Sequence, residues 1–195
     1  MANRKQEIKE YDLMLQKHID KKDFIKISRT FKDREENIAG FLLAISKDFL
    51  LLQIDNEFLL DGYAIIPKTK FDSIRCNRYE KTLKKIHKKE GHLDSQYGIY
   101  QNISIKTWQD LFTDLKKADY HVIVECEDND EPDFTIGPIK KIYKNKVGIQ
   151  YYDPTGKLDV ELTSVPYNEI TIIKFGDRYS TTFRKYLRES TRKKS

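Results

Sequence analysis

The pattern of apolar residues in the first half of this sequence recurs in the second half after a shift of 97 residues. At this shift Gly40 meets Gly137, and the apolar positions around the two glycines coincide. Insertions in the second half widen the shift to 99 and then to 100 residues, which aligns Arg78-Tyr79 with Arg178-Tyr179. These insertions fall in turn-like stretches, where chains tolerate added residues. We interpret the sequence as two copies of one segment, which constrains the fold more than any other feature.

The alternative is a chance alignment, because any two segments of alternating apolar and polar residues can be slid into register. Glycine, proline and Arg-Tyr identities that occur in the same order favour duplication, as do the helices that flank both copies. The duplication predicts a first helix-barrel-helix repeat at 1–90, a linker at 91–104 and a second repeat at 105–195 that ends in a basic tail.

Each copy has the pattern of a helix, five short strands and a second helix. In the first copy, residues 7–20 carry an apolar stripe at helical spacing. Segments 38–45 and 49–54 are apolar and are joined by a polar turn, which is typical of paired strands. Residues 79–89 return to a helical pattern, and the matching closing helix of the second copy is predicted at about 181–189.

Short strands totalling about 50 residues cannot bury a two-sided core as a flat sheet, whereas a closed barrel removes the sheet edges and creates one interior. We therefore expect a mainly β protein with flanking helices (α+β), made of two duplicated five-stranded barrels, each with an N-terminal and a C-terminal helix. The segment Gly40-Phe-Leu-Leu-Ala-Ile-Ser-Lys-Asp-Phe-Leu-Leu-Leu resembles the second and third strands of Sm-like proteins. The element order is also similar to that of SH3-type barrels, and both resemblances imply a small barrel.

The RNA sites of Sm-type proteins use an Asn after the turn that follows the second strand and an Arg-Gly pair between the last strands. The corresponding stretches here are Phe49-Leu-Leu-Leu and Pro67-Lys-Thr-Lys in the first copy, and Val147-Gly-Ile-Gln and Pro166-Tyr-Asn-Glu in the second. Neither signature occurs, so the resemblance implies an architecture and not the uridine-binding mode of the family.

Basic residues are concentrated in the two closing helices, where residues 78–89 and 184–195 each carry six cations against one Glu. Such patches suit contacts with nucleic-acid phosphates, and nearby Tyr and Phe rings could stack on bases. The alternative is a solvated helix face with a basic tail. The candidate nucleic-acid contacts are Arg78, Lys81, Lys84, Lys85, Lys88, Arg178, Arg184, Lys185 and Arg188. We interpret the repeated Arg-Tyr pairs as structural, with Tyr79 and Tyr179 closing the barrel ends.

An acidic stretch at 125–133 contains no cation. Carboxylate-rich loops can bind a hard cation such as Ca²⁺, but this stretch lacks the spacing of an EF-hand loop. It could instead face a basic surface of the same or a neighbouring chain, which would suit head-to-tail association. The sequence leaves these alternatives open.

No catalytic motif, phosphate-cradling loop or dinucleotide fingerprint occurs in the sequence. Neither the four His residues nor Cys76 and Cys126 have zinc-ligand spacing, so we expect no metal and no other cofactor. No apolar run is long enough to cross a bilayer, and two Cys residues are too few for a disulfide framework, which indicates a cytoplasmic protein without a membrane partner.

The sequence therefore predicts a non-enzymatic binding or scaffold protein whose ligand is a protein partner or another copy of itself. Its net charge of +5 is only mildly basic. The alternative is nucleic-acid binding, with RNA as the ligand, through the basic helices and the barrel loops.

Overall fold

The computed structural model describes residues 2–32, 34–98, 102–130 and 133–188. The fold is mostly β, with helices packed beside one ten-stranded antiparallel sheet. The strands of the first half are β1 (Phe24–Phe31), β2 (Arg34–Ile45), β3 (Phe49–Asn56), β4 (Leu59–Pro67) and β5 (Ser73–Arg75). The strands of the second half are β6 (His121–Cys126), β7 (Asp133–Ile142), β8 (Lys146–Ile149), β9 (Thr163–Pro166) and β10 (Ile172–Phe175). The helices are α1 (Ala2–Asp20), α2 (Arg78–Lys89), α3 (His92–Ser95), α4 (Trp108–Lys117) and α5 (Arg178–Phe183), which a 3₁₀ turn at Arg184–Tyr186 extends.

The sheet runs in the order β5-β1-β2-β3-β4-β10-β6-β7-β8-β9 and is open. The expectation of two separately closed barrels is therefore wrong. The two halves are joined by antiparallel pairing of β4 with β10, in which Ile65 lies opposite Ile173 and Tyr63 lies opposite Phe175. All four side chains are buried, so pairing between the halves removes their apolar surface from water.

Strands β3 and β4 are buried on both faces, which gives the physical reason for the open sheet. Leu50 and Leu52 belong to a first core beneath α1, whereas Phe49 and Leu51 of the same strand belong to a second core beneath α4. Ile172 of β10 also packs into the first core. Because each core takes residues from both halves, neither half has a core of its own to close around.

The hydrogen-bond registers of the two halves coincide. Gly40 lies opposite Ile25 in the pairing of β2 with β1, and Gly137 lies opposite Val122 in the pairing of β7 with β6. The pairing with the following strand is then interrupted at 42–44 in the first half and at 139–141 in the second. Residues that the sequence alignment equates therefore occupy equivalent positions in the sheet.

The two glycines are required by a close approach of backbone from the next strand. A Cβ atom on Gly40 would lie 2.0 Å from the carbonyl oxygen of Gln53, and a Cβ atom on Gly137 would lie 2.0 Å from the carbonyl oxygen of Gln150. Both contacts are far inside van der Waals distance, and backbone carbonyls in a sheet cannot rotate away. Neither position accepts a side chain without displacement of its sheet.

The closing helices begin with side-chain caps. Asn77 and Glu80 form a capping box at the start of α2, and the side chain of Asp177 accepts a hydrogen bond from the Ser180 amide at the start of α5 (2.8 Å). Helix α5 consequently starts earlier than the predicted 181–189 and ends at Phe183, while residue 189 lies outside the described residues. Within the described ranges, no helix combines the length and apolar character needed to span a membrane.

Candidate functional site

A buried ion pair holds the two halves together at the end of β1. Arg29 donates two hydrogen bonds to the carboxylate of Glu127, at 2.6 and 3.2 Å, and both side chains are almost completely buried. The hydroxyl of Thr171 donates a third hydrogen bond to Glu127 (2.7 Å). This bidentate arrangement is the strongest geometry for an Arg–carboxylate pair, and it fixes the acidic segment after β6 against the first half.

Two further carboxylates of the acidic stretch, Asp128 and Asp130, also face basic side chains of the first half. Lys32 Nζ lies 3.0 Å from Asp130, and Lys70 Nζ lies 2.6 Å from Asp128. Among the described residues of the stretch, no three ligand atoms come together as a cation site would require. Asp128 and Asp130 thus pair with a basic surface of their own chain, which is one of the alternatives left open by the sequence.

A cavity of about 790 Å³ opens between the two halves. We call it the inter-half cleft. It is bounded by α1, by the turns that follow β2, β4 and β9, and by the start of α4. Its lining residues are Tyr11, Asp12, Lys47, Asp48, Phe49, Pro67, Lys68, Thr69, Lys70, Phe71, Trp108, Tyr167, Asn168 and Ile170. Five of these are aromatic, and they come from both halves of the chain.

One wall of the inter-half cleft is a preformed aromatic stack. The rings of Trp108 and Tyr167 are nearly parallel, with centroids 5.4 Å apart, and Phe49 meets Trp108 edge-on at 4.7 Å. The Tyr167 hydroxyl donates to the Tyr143 carbonyl (2.9 Å), which fixes the ring further. Rigid aromatic groups of this kind bind a ligand at little entropic cost.

The polar groups of the cleft are mostly paired with one another. Lys68 Nζ lies 2.5 Å from a carboxylate oxygen of Asp12, and Lys70 is engaged by Asp128 outside the cleft. Burial, together with the charge of Asp12, raises the pKa of Tyr11, so its hydroxyl stays protonated and can donate. Lys47 is exposed and has no ionic partner among the described residues, which leaves it available to an acidic ligand group.

The basic residues predicted from the sequence do not converge on one groove within the described chain. Helix α2 packs against β1 and α5 packs against β6, and four strands separate β1 from β6 in the sheet. Lys81, Lys85, Lys88, Arg178 and Lys185 are exposed. Arg192, Lys193 and Lys194 of the predicted tail lie outside the described residues.

The remaining predicted contacts have partners within the chain. Lys84 donates to the Lys21 carbonyl (2.5 Å) and to Asp23 (2.8 Å), and Arg184 donates to the carbonyl (2.7 Å) and the carboxylate of Asp119. Arg188 donates to the Thr155 carbonyl (2.7 Å). These three side chains tie the closing segments to the rest of the fold.

The interpretation of the Arg-Tyr pairs as barrel closures is wrong. Tyr79 and Tyr179 are 56% and 53% exposed, so neither ring covers a core. Arg78 instead lies over the ring of Tyr79, with the guanidinium 4.9 Å from the ring centroid. The two pairs nevertheless occupy the same position, at the first turn of α2 and of α5.

The internal repeat contains one signal that points to the cleft. The shift of 97 residues aligns Tyr11 with Trp108, and both rings line the inter-half cleft. No such signal marks Tyr167, because its place in the cleft beside Trp108 follows from packing between segments that are distant in the sequence.

Comparison with known proteins assigns no family to this chain: no protein-family model, curated protein or solved structure matches it significantly. Its function is therefore argued from its own residues.

Proposed function

We propose that the chain is built from two copies of one β unit and acts as a non-enzymatic binding module, whose inter-half cleft holds a short segment of a protein partner. The coincident registers of the two halves support the duplication, because chance alignment would not place Gly40 and Gly137 at equivalent positions beside equivalent interruptions of pairing. The observation that carries the binding function is the inter-half cleft itself.

The chemistry of the cleft indicates what kind of segment fits. A cavity of about 790 Å³ lies within the range of about 300–1,000 Å³ that small ligands and peptide side chains occupy. Tyr and Trp are the residues that most often dominate the binding energy of protein interfaces. With Lys47 free at the rim and the other lysines paired, the best match is an aromatic or aliphatic side chain that enters the cleft next to one acidic residue.

A second copy of the chain fits less well as the partner. The outer strands β5 and β9 end the sheet, but they have only three and four residues. Ser164 of β9 is at the position that corresponds to Ile65 of β4, and Leu162, which corresponds to Tyr63, lies just before β9 begins. Strand β5 presents the exposed Arg75. Short edges with polar and charged residues discourage strand pairing between molecules.

Selection of peptides from a random display library tests this function. We expect wild-type protein to enrich peptides that combine an aromatic or large aliphatic residue with Asp or Glu. Tyr11→Ala and Lys47→Glu change exposed cleft residues. Each should lower the affinity for the selected peptides by about tenfold or more, and tenfold is equivalent to about 1.4 kcal/mol. Lys81→Glu changes an equally exposed lysine outside the cleft and should leave the affinity unchanged. Peptides that bind all four proteins equally would contradict the proposal.

Single-stranded RNA is the second candidate ligand, because the aromatic stack and the exposed lysines of α2 provide both base-stacking and phosphate contacts. If RNA is the ligand, the affinity of the protein for an RNA oligonucleotide should fall steeply as the salt concentration rises. The affinity should be lower still in the triple variant Lys81→Glu, Lys85→Glu, Lys88→Glu. These three side chains are exposed, so the variant should fold as wild type does. No binding at low salt, or binding that the triple variant leaves intact, would exclude this candidate.

A further inference from the structure

Three side chains with metal-binding chemistry converge at one corner of the first half, outside the inter-half cleft. His18 lies in the last turn of α1, Asp23 immediately precedes β1, and Cys76 immediately follows β5. Their ligand atoms all lie within 4.8 Å of one another, and His18 Nδ1 is 2.9 Å from Asp23 Oδ2. All three side chains are half-buried, so the cluster is both organised and accessible to solvent.

The second half fills the same corner with apolar side chains. The positions that correspond to His18, Asp23 and Cys76 are Leu115, Tyr120 and Phe175. Leu115 and Phe175 are completely buried, and the rings of Tyr120 and Phe175 pack edge to face at 5.1 Å. The fold thus closes this corner without a His, Asp or Cys at these positions, and the set of His18, Asp23 and Cys76 in the first half is not a requirement of the architecture.

Lys84 does not account for the cluster, because its main role recurs in the second half. Lys84 ties the closing helix to the Lys21 carbonyl, as Arg184 ties its own closing segment to the Asp119 carbonyl. Lys84 also bonds Oδ1 of Asp23 (2.8 Å), which orients the carboxylate and leaves Oδ2 facing His18. An outer partner that orients a ligating carboxylate in this way is characteristic of protein metal sites.

We propose that His18 Nδ1, Asp23 Oδ2 and Cys76 Sγ bind one Zn²⁺ ion and leave its fourth coordination position open. Thiolate, imidazole and carboxylate are the three ligand types that zinc uses in proteins, and a mixed set with sulfur disfavours Mg²⁺ and Ca²⁺. Ligand atoms held by zinc–ligand bonds of about 2.0–2.3 Å in a tetrahedron lie about 3.3–3.8 Å apart. Cys76 Sγ lies within 4.8 Å of the other two atoms, and the hydrogen-bonded His18 and Asp23 atoms, at 2.9 Å, must separate slightly to admit the ion. Binding releases the thiol proton of Cys76, so affinity rises with pH.

Titration of the full-length protein with Co²⁺, followed by absorption spectroscopy, tests the site. Co²⁺ bound to a thiolate gives a sulfur-to-metal charge-transfer band, which we expect to saturate at one equivalent and to disappear when Zn²⁺ displaces the cobalt. Cys76→Ser should abolish the band, and His18→Ala should weaken cobalt binding by about tenfold or more. Cys126→Ser is the matched control, because Cys126 is the other thiol, is buried in the second half and should leave the band unchanged.

Protection of the thiol from alkylation provides a readout on the unmutated protein. Zn²⁺ should slow alkylation of the half-buried Cys76, as measured by mass spectrometry of its peptide. Absence of the charge-transfer band in wild-type protein would overturn the site, as would a band that survives Cys76→Ser. Alkylation of Cys76 at the same rate with and without Zn²⁺ would also count against it.

Discussion

Gly137→Ala and Gly40→Ala are each expected to lower the free energy of unfolding by about 4 kcal/mol or more, which is a large part of the stability of a typical domain. The added methyl group would lie 2.0 Å from a backbone carbonyl oxygen of the adjacent strand in both cases. The strand must move to relieve this overlap, and its cross-strand hydrogen bonds weaken when it does. Urea denaturation monitored by circular dichroism measures the effect.

Gly148→Ala is the matched control for both substitutions. Gly148 lies in β8, next to Gly137's strand, but a Cβ atom there would meet its nearest neighbours, two side-chain carbons, at 3.4 Å. We expect a change below about 1 kcal/mol. A Gly137→Ala protein as stable as wild type would show that the backbone of Gln150 lies farther from Gly137 than the structure indicates. Unequal losses at Gly40 and Gly137 would weaken the proposed equivalence of the two halves.

Arg29→Ala is expected to destabilise the protein by about 3–5 kcal/mol, because it leaves the buried carboxylate of Glu127 without its bidentate partner and with only the more distant guanidinium of Arg34, at 4.0 Å, as an ionic contact. The reciprocal change Glu127→Ala should cost a similar amount, since Arg29 would then be buried with its charge unpaired. The double variant Arg29→Met, Glu127→Met removes both charges and should recover most of the loss. The midpoint and slope of urea unfolding at neutral pH measure all three.

The exposed pair of Lys32 and Asp130 at the same junction provides the control. Lys32→Ala should change stability by no more than about 0.5 kcal/mol, because ion pairs in contact with water contribute little. If Arg29→Ala were as mild as Lys32→Ala, the Arg29–Glu127 pair would not be the buried link between the halves that the structure indicates.

Much of the secondary structure was predictable from apolar periodicity. The strands expected at 38–45 and 49–54 agree with β2 and β3, and the helix expected at 79–89 agrees with α2. The closing helix of the second half begins at Arg178, before the predicted start at about 181, because Asp177 caps it ahead of the apolar residues that indicate a helix.

The sequence does not show that the two halves share one open sheet, because that arrangement depends on which strand edges pair with each other. The runs at Phe49–Leu52 and 63–66 are apolar at consecutive positions, a pattern typical of a strand buried on both faces. A strand in a single barrel buries only every second side chain. In this sheet, a second core on the other face buries the remaining side chains of β3 and β4.

The candidate sites depended still more on long-range geometry. The inter-half cleft combines Tyr11 with Tyr167, and the proposed zinc ligands combine His18 with Cys76. In each case the two residues are so far apart in the sequence that no local motif could reveal their proximity. The clusters of basic residues were the most visible local signals, but some of their members form hydrogen bonds within the chain. Lys84 and Arg184 each donate a hydrogen bond to a backbone carbonyl at the end of a helix.

The ladder between β4 and β10 has a consequence for how such a chain could arise. On the proposed duplication, a single ancestral unit would present Tyr63 and Ile65 on an unpaired strand, which a second molecule could cover. Tandem fusion converts that encounter into an intramolecular one, with a local concentration on the order of millimolar. A gene split between the two halves should therefore still yield a working protein, assembled from two polypeptides that find each other through this ladder.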